Sequence, residues 1–182
     1  MPALLLHPAS SAGAVRRIDV DAERHGARLS LRYALSADLK ALRIPPLAPT
    51  RPGFDLWKHT CFEAFVGVAD RPAYDELNLS PSGEWAAFAF RAYRDGGPLD
   101  DGALAPRLTI QRESDRLVLD ALIGLDRLSS DYVRAPLRVA LSAVIEAADG
   151  TLSYWALRHP PGRPDFHHAD AFALRLEPSG DE

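Results

Sequence analysis

Hydrophobic and polar residues alternate with a period of two along most of the chain, which is typical of half-buried β-strands. In the segment ARLSLRYAL, residues 27–35, the apolar side chains fall on one face, and Arg28, Ser30 and Arg32 fall on the other. Similar alternation recurs at short intervals between turn-forming residues. The pattern predicts about ten short strands, and this spacing favours an all-β fold, an antiparallel β-sandwich of the jelly-roll or immunoglobulin-like kind.

Turn signals divide the alternating segments into three hairpins and a closing strand. The hairpins cover residues 74–93, 107–123 and 137–159, and the closing strand covers residues 171–177. The Asp149-Gly150 dipeptide is a strong hairpin signal, because both residue types tolerate the backbone conformation of a tight turn. Helix signals are weak. We expect one helical turn after Ser36 as its N-cap, ended by Pro45, and another short piece within residues 124–132.

Composition favours a single folded domain over residues 1–182, with tails at residues 1–14 and 178–182 that we expect to be loosely held. Of the 182 residues, 47% are hydrophobic and 25% are charged. The net charge of −4 argues against a nucleic-acid partner or an anionic membrane surface. The sequence has no basic, apolar leader and no apolar run of about 18 residues, so we expect a cytoplasmic protein without a membrane span.

Few residues suggest catalysis or covalent cross-linking. The only cysteine, Cys61, excludes a disulfide within the chain and a cysteine-based zinc site, and we expect it to be a small core residue. We identify neither a glycine-rich phosphate loop nor a Ser-His-Asp arrangement. The sequence therefore predicts no catalytic residues.

The segment LWKHTCFEAFVG, residues 56–67, predicts a buried strand with a carboxylate in its middle. Glu63 shares a face with Cys61 and Phe65, whereas the opposite face is wholly apolar. An unpaired buried carboxylate costs several kcal/mol or shifts its pKa strongly. Glu63 is therefore either a binding group that faces a polar groove or a carboxylate paired with Arg91 or another arginine.

Two neighbouring segments predict further polar positions on the same sheet. In residues 74–80, Glu76, Asn78 and Ser80 point away from the inward-facing leucines. In residues 84–93, we assign Phe88 and Phe90 to the core. That assignment leaves a second face, which consists of Trp85, Ala87, Ala89, Arg91 and Tyr93. The resulting hypothesis is a concave face that carries Glu63, Asn78, Trp85 and Arg91. The alternatives are an ordinary solvated sheet face and a tryptophan that only packs.

Histidines and aspartates concentrate near the C-terminus in the segment RHPPGRPDFHHAD. His159, Asp165, His167 and His168 would be a candidate metal site. Adjacent histidines on an extended chain point to opposite sides, however, so only one of His167 and His168 readily faces a common metal. The other interpretation is that one histidine hydrogen-bonds a buried loop.

The order and spacing of these motifs resemble the DOMON-like superfamily, and in particular the family 9 carbohydrate-binding modules. The resemblance spans about residues 15–177. It depends on Trp57 followed by Glu63 and on a hairpin with the pattern Y-x-E-x-N. The matched positions in and after that hairpin are Tyr74, Glu76, Asn78, Gly83, Trp85, Trp155, Phe166, His167 and Phe172.

The resemblance implies a sandwich of about ten strands that binds a small saccharide at one rim. Carried over by position, Trp57 and Trp155 would stack on the two faces of a sugar ring, and Glu63 and Asn78 would contact its hydroxyls. Arg91 and His159 would lie nearby. The implied protein is a non-catalytic module that needs no cofactor.

Two other functions stay open at this level. One is an enzyme, or a metal- or haem-binding protein, that uses His159, His167 and His168. Because Met1 is the only methionine, a Met-ligated haem is not expected. The other is a protein-interaction domain anchored by its tryptophans. The sequence does not identify the sugar or the oligomeric state.

Overall fold

The computed structural model describes residues 1–178, in which thirteen strands form two sheets. The larger sheet contains β1 (Leu5–Leu6), β4 (Arg51–Pro52), β5 (Cys61–Val68), β6 (Tyr74–Leu79), β7 (Glu84–Ala92), β8 (Asp95–Pro98), β11 (Leu137–Glu146), β12 (Leu152–Ala156) and β13 (Leu174–Leu176). The smaller sheet contains β2 (Val15–His25), β3 (Arg28–Ala37), β9 (Arg107–Arg112) and β10 (Arg116–Gly124). Two short helices, α1 (Leu125–Leu128) and α2 (Asp131–Arg134), lie between β10 and β11. Single 3₁₀ turns occur at Leu39–Ala41, Leu56–Lys58, Gly102–Leu104 and Ala169–Ala171.

The strand order confirms the predicted β-sandwich. The larger sheet runs β1-β12-β11-β5-β6-β7-β4, with β13 beside β11 and β8 beside β7, and the smaller sheet runs β2-β3-β10-β9. All pairs are antiparallel except the short pair of β4 and β7. The three predicted hairpins correspond to β6–β7, β9–β10 and β11–β12. Among residues 1–178, no helix is long and apolar enough to cross a membrane.

One continuous apolar core fills the space between the sheets. The inner face of β5 presents Phe62, Ala64 and Val66 to this core, as their parity predicts. Tyr33 of β3 stacks on Phe62, with ring centroids 4.9 Å apart. The Tyr33 hydroxyl also donates a hydrogen bond of 2.7 Å to the backbone carbonyl of Glu63. This hydrogen bond holds the backbone of β5 at Glu63, the residue whose side chain points to the opposite face of the sheet.

The faces of β7 are the reverse of those predicted from the sequence. Trp85 and Ala87 lie in the core between the sheets, and Phe88 pairs with Glu76 on the outer face of the larger sheet. The prediction was wrong because both faces of β7 carry aromatic side chains, so alternation alone does not say which face is inside. The register set by β6 decides it, since Leu79 of the core pairs with Trp85.

Two local predictions also need correction. The 3₁₀ turn at Leu39–Ala41 is capped by Asp38, whose side chain accepts from the backbone N–H of Lys40, and not by Ser36, which lies inside β3. The N-terminal segment, predicted to be loose, is held by pairing of β1 with β12 and by a hydrogen bond from Leu4 N to Ile18 O. Of the C-terminal tail, residues 179–182 lie outside the described residues.

Candidate ligand-binding cavity

A cavity of about 390 Å³ opens on the outer face of the larger sheet, and we refer to it as the cavity. Strands β5, β6, β7, β11 and β12 form its floor, and the loops that follow β7 and β12 contribute to its walls. The lining residues are Trp57, Glu63, Glu76, Phe88, Phe90, Arg94, Val144, Tyr154, Pro164, Phe166 and His167. The volume is within the range of small-molecule sites.

The cavity floor carries two carboxyl groups because of strand parity. On β5, Glu63 points away from the core because its neighbours Phe62 and Ala64 point into it. On β6, Glu76 and Asn78 share the outer face, and Asn78 pairs directly with Glu63 across the strands. Glu76 is thus the diagonal neighbour of Glu63 on the same face, where side chains are within mutual reach.

Both carboxyl groups are held in an environment that disfavours their charge. Glu63 is only 3% exposed. Burial, reinforced by the charge of Glu76, raises the pKa of Glu63 well above its usual range. Burial also raises the pKa of Glu76 to about 7, although the hydrogen bond from Asn78 and the charge of Arg94 act in the opposite direction. Near neutral pH the pair therefore retains part of its protons.

No lysine or arginine among residues 1–178 forms an ion pair with either carboxylate of the floor. This contradicts the alternative in which Glu63 is paired with an arginine. A different buried carboxylate of the same sheet shows the contrast. Glu146 of β11 lies 2.8 Å from Arg43 and 2.8 Å from His59. This structural carboxylate thus has an arginine partner, whereas Glu63 and Glu76 have none among the described residues.

Two further polar groups beside Glu63 have unused hydrogen-bonding capacity. Asn78 donates from Nδ2 to Glu76 Oε1 at 2.9 Å, but its buried Oδ1 has no hydrogen-bond partner among the described residues. Ser142 of β11 pairs with Glu63 on the other side, and its buried Oγ also has none. Asn78 and Ser142 are 0% and 1% exposed. Buried polar groups in this condition are uncommon and call for an explanation.

A hydrogen-bonded network forms one wall of the cavity and holds His167 neutral. The Tyr74 hydroxyl accepts from the backbone N–H of Arg94 at 3.2 Å and is hydrogen-bonded to His167 Nδ1 at 2.8 Å. His167 Nε2 lies 3.5 Å from Glu76 Oε2. Burial, with a further contribution from Arg94, lowers the pKa of His167 to about 4. The contact with Glu76 is therefore not an ion pair near pH 7.

The guanidinium of Arg94 has its own partners within this wall. It donates to Asp165 at 2.9 Å and to the Tyr93 hydroxyl at 3.3 Å. Asp165 also accepts from the backbone N–H of His167 at 3.1 Å. Arg94 thus anchors the loop that carries His167, and its charge is balanced by Asp165 rather than by the carboxyl groups of the floor.

Aromatic rings form the remaining walls. Trp57 lies on the 3₁₀ turn Leu56–Lys58 and is 41% exposed. Its ring meets Phe88 edge to face with a centroid distance of 6.1 Å, which fixes its orientation. On the far side, Tyr154 of β12 contacts Phe166, with ring centroids 6.2 Å apart. The cavity therefore combines a partly exposed indole, with Lys58 Nζ 5.6 Å from its ring centroid, and two carboxyl groups.

The residues that the sequence predicts for a site are only partly brought together. Trp57 and Glu63 line the cavity, whereas Asn78 pairs with Glu63 but is fully buried and does not line it. Trp155 does not join them. It is 6% exposed, belongs to the core between the sheets and donates its indole N–H to Ser153. The predicted stacking pair of Trp57 and Trp155 is wrong, because alternation on β12 directs Tyr154 outward and Trp155 inward.

Three other predicted positions also lie away from the cavity. Trp85 is in the core, and Arg91 forms an exposed ion pair with Asp95 at 3.0 Å. His159 donates from Nε2 to the Leu5 carbonyl at 2.8 Å, and its ring contacts Phe166 from behind. This contact is with strand β1 and not with a buried loop, and the histidine with a capping role is His168, at the start of the turn Ala169–Ala171.

Sequence reasoning missed Tyr154, Phe166 and Arg94 as wall residues. The position of Tyr154 could have been predicted. Once the core side of β11 is known, the hairpin register places Trp155 on the core side of β12 and Tyr154 on the opposite side. The position of Arg94 could not have been predicted, since it follows the end of β7 and adopts a left-handed backbone conformation with φ of 54°.

The histidine-rich segment does not assemble a metal-binding group in the described part of the chain. Among residues 1–178, no three side chains of His, Cys, Asp or Glu lie close enough together to hold a metal ion. His167 faces the cavity, whereas His168 accepts from the backbone N–H of Asp170 at the start of the turn Ala169–Ala171. Adjacent histidines thus point in different directions, as expected from an extended chain. Cys61 is fully buried, as predicted.

Three solved structures share this fold. A protein from Bacteroides uniformis ATCC 8492 that is proposed to bind carbohydrate has a TM-score of 0.61 at 14% identity, over 88% of this chain and 78% of that one. A family 9 carbohydrate-binding module from Caldicellulosiruptor kristjanssonii in complex with glucose has a TM-score of 0.54 at 9% identity, over 91% and 78%. The same kind of module from that organism in complex with cellotriose has a TM-score of 0.54 at 8% identity, over 91% and 76%.

These likenesses establish a shared fold. The sequence itself matches no protein-family model and no curated protein. The resemblance to family 9 modules, seen first in the order of sequence motifs, therefore recurs in three dimensions. Membership of the wider DOMON-like superfamily stays a prediction.

Proposed function

We propose that this protein is a non-catalytic module that binds a small carbohydrate in the cavity on the outer face of the larger sheet. The observation that carries the proposal is the partly exposed indole of Trp57 in the same cavity as two carboxyl groups that lack a cationic partner among the described residues. Saccharides need both features, an apolar surface for their C–H faces and fixed acceptors for their hydroxyls. The fold shared with modules that bind glucose and cellotriose supports this proposal.

Trp57 is the stacking platform in this proposal. Its edge-to-face contact with Phe88 holds the indole in place before a ligand arrives, so little conformational entropy is lost on binding. Strands β7 and β12 are four strand spacings apart, about 19 Å between backbones. Tyr154 and Phe166 therefore close the far end of the cavity and do not form a tight sandwich with Trp57.

The floor supplies the polar contacts. Glu63 and Glu76 offer carboxyl oxygens, and Asn78, which is fully buried beside them, holds Glu76 in place by donating to its Oε1. All three lie on neighbouring strands of one sheet, where positions are rigid. A sugar ring that stacks on Trp57 would turn its hydroxyl edge toward these acceptors.

The test is a titration of the protein with mono- and disaccharides, followed by tryptophan fluorescence and calorimetry. Trp85 and Trp155 are buried in the core, so a spectral change on binding reports on Trp57. We expect Trp57→Ala to weaken the affinity at least tenfold, about 1.4 kcal/mol, through loss of the stacking surface.

Phe54→Ala is the matched control. Phe54 is 91% exposed and precedes the same 3₁₀ turn, but it does not line the cavity. This variant is expected to bind as the wild type does. The proposal fails if the folded protein responds to no sugar in the panel, or if Trp57→Ala and Phe54→Ala bind equally well.

A further inference from the structure

The floor of the cavity presents two carboxyl groups that have no cationic partner among the described residues. Three of their oxygens have no hydrogen bond or only a long contact within residues 1–178: both oxygens of Glu63, and Oε2 of Glu76, which lies 3.5 Å from His167 Nε2. Two wall groups already have contacts of their own, because Arg94 donates to Asp165 and His167 Nε2 lies 3.5 Å from Glu76 Oε2. A ligand group that donates hydrogen bonds fits the remaining carboxyl oxygens.

The charges in and around the cavity also favour a positively charged ligand group. Glu63, Glu76 and Asp165 are acidic, Arg94 is the only cationic lining residue, and His167 is neutral. Arg94 and Asp165 compensate each other. Ionised carboxylates on the floor would therefore leave an uncompensated negative charge in a buried site, which is costly without a cation.

The comparison with Glu146 shows that this imbalance is specific to the cavity. Glu146 is buried in the same sheet, and Arg43 and His59 contact its two carboxylate oxygens. No described residue is a cationic partner for Glu63. A cationic ligand group can reach Glu63 from the open side of the cavity.

We infer that the cavity binds a ligand bearing a primary ammonium group, with Glu63 and Glu76 as its counter-ions. This inference rests on the proposed function for the rest of the ligand, which makes the ligand an amino sugar with a free amine. An ammonium group supplies three donors and one positive charge in a single small group. It matches at once the unused acceptors and the missing charge, whereas a neutral hydroxyl supplies one donor and no charge.

The experiment compares D-glucosamine, D-glucose, N-acetyl-D-glucosamine and ethylammonium by calorimetry with the full chain near neutral pH. The acetylated sugar keeps the ring but loses the charge, and ethylammonium keeps the charge but lacks the ring. We expect glucosamine to bind at least about tenfold more tightly than either neutral sugar, since charge-assisted hydrogen bonds are roughly twice as strong as neutral ones.

Proton release is a second readout of the same contact. An ammonium group favours the ionised form of the carboxyl groups, so protons retained by the floor leave when glucosamine binds. The binding enthalpy of glucosamine is therefore expected to depend on the ionisation enthalpy of the buffer, and that of glucose is not.

Glu63→Gln and Glu76→Gln test the counter-ions directly, because glutamine keeps the shape and removes the charge. Each is expected to reduce the ratio of glucosamine to glucose affinity several-fold, with thermal unfolding used to verify that the variants are folded. Glu146→Gln is the matched control, a buried carboxylate of the same sheet outside the cavity. It is expected to retain the ratio.

The possible outcomes separate this inference from the proposed function. If glucose and glucosamine bind equally well, the inference is overturned and carbohydrate binding stands. If ethylammonium and glucosamine bind equally well and no neutral sugar binds, the ammonium site stands and the carbohydrate proposal fails. If none of the four binds, both are overturned.

Discussion

Glu63 and Glu76 show how one buried residue pair makes both stability and binding depend on pH. The folded state holds the pKa of Glu76 at about 7, compared with 4.5 for an exposed glutamate. The folded state therefore binds a proton that the unfolded chain releases between these values. The free energy of unfolding should fall as pH rises through that window. Glu63 acts in the same direction, since its pKa is also raised.

His167 has the opposite effect over part of the same range. Its pKa is about 4 in the folded state and 6.5 in an exposed histidine. The unfolded chain binds the extra proton here, so the contribution of His167 to stability is lost as pH falls from about 6.5 toward 4. The opposite pH dependences that Glu76 and His167 give to the free energy of unfolding partly cancel in the wild type. Single variants are needed to separate them.

We predict that Glu76→Gln becomes more stable than the wild type as pH rises from about 4.5 to 8, because the variant has no carboxylate to ionise in the buried site. The gain at pH 8 should be on the order of 3 kcal/mol, because the pKa of Glu76 rises from 4.5 to about 7 on folding. Glutamine can still accept from Asn78, so that hydrogen bond is retained. Denaturant-induced unfolding at several pH values measures the effect.

The control for this prediction is Glu146→Gln, which should lose stability because it removes the partner of Arg43. A Glu76→Gln variant that is less stable than the wild type at pH 8 would show that ionised Glu76 is stabilised within the fold. The conclusion that burial disfavours the ionised form of Glu76 would then be wrong.

At the scale of single elements, two consecutive residues of β12 have different roles, one in the cavity wall and the other in the core. Its pairing with β11 places Tyr154 opposite Val144 on the cavity side and Trp155 opposite Ala143 on the core side. Tyr154 contributes to the cavity wall, whereas Trp155 packs between the sheets. The same alternation on β5 separates Glu63 from Phe62. The cavity is thus built on strands whose other faces anchor it to the core.

We predict opposite effects for two variants of β12. Tyr154→Ala should weaken ligand binding several-fold with a small change in stability, because it removes part of a half-exposed wall. Trp155→Phe should lower the free energy of unfolding by about 1–3 kcal/mol, because it leaves a gap in the core and removes the buried hydrogen bond from the indole N–H to Ser153. The affinity of the folded protein should not change.

Binding isotherms and denaturation curves of both variants test this separation. Loss of binding in Trp155→Phe with unchanged binding in Tyr154→Ala would mean that the faces of β12 are reversed. That result would restore Trp155 as the partner of Trp57.

At the scale of the whole molecule, polar contacts from outside the larger sheet determine where β5 lies. Tyr33 reaches from the smaller sheet to the carbonyl of Glu63, and Tyr132 of α2 donates to the carbonyl of Val66 at 2.9 Å. Both hydroxyls are buried, so each hydrogen bond is geometrically demanding as well as stabilising. The cavity floor is therefore coupled to the smaller sheet through the core.

We predict that Tyr33→Phe lowers the free energy of unfolding by about 1–2 kcal/mol, because it removes a buried donor while keeping the ring on Phe62. Chemical denaturation measures this change. A variant as stable as the wild type would show that the hydroxyl does not connect the sheets energetically.

The sequence by itself determined the class of fold and the strand on which the cavity is built. Period-two alternation is a local property, since successive side chains of any strand point to opposite faces. It was sufficient to predict the hairpins, the core face of β5 and the shared outer face of Glu76 and Asn78. The same local rule also identified Glu63 as a buried carboxylate that needed an explanation.

Only the tertiary structure decided which residues surround that carboxylate. On β7 and β12 both faces carry aromatic residues, so the core side is set by pairing with strands that are distant in sequence, and this pairing excluded Trp85 and Trp155 from the cavity. The absence of an arginine partner for Glu63 also depends on how loops are placed. Alternation follows from the geometry of a single strand, whereas these outcomes follow from register and packing between strands.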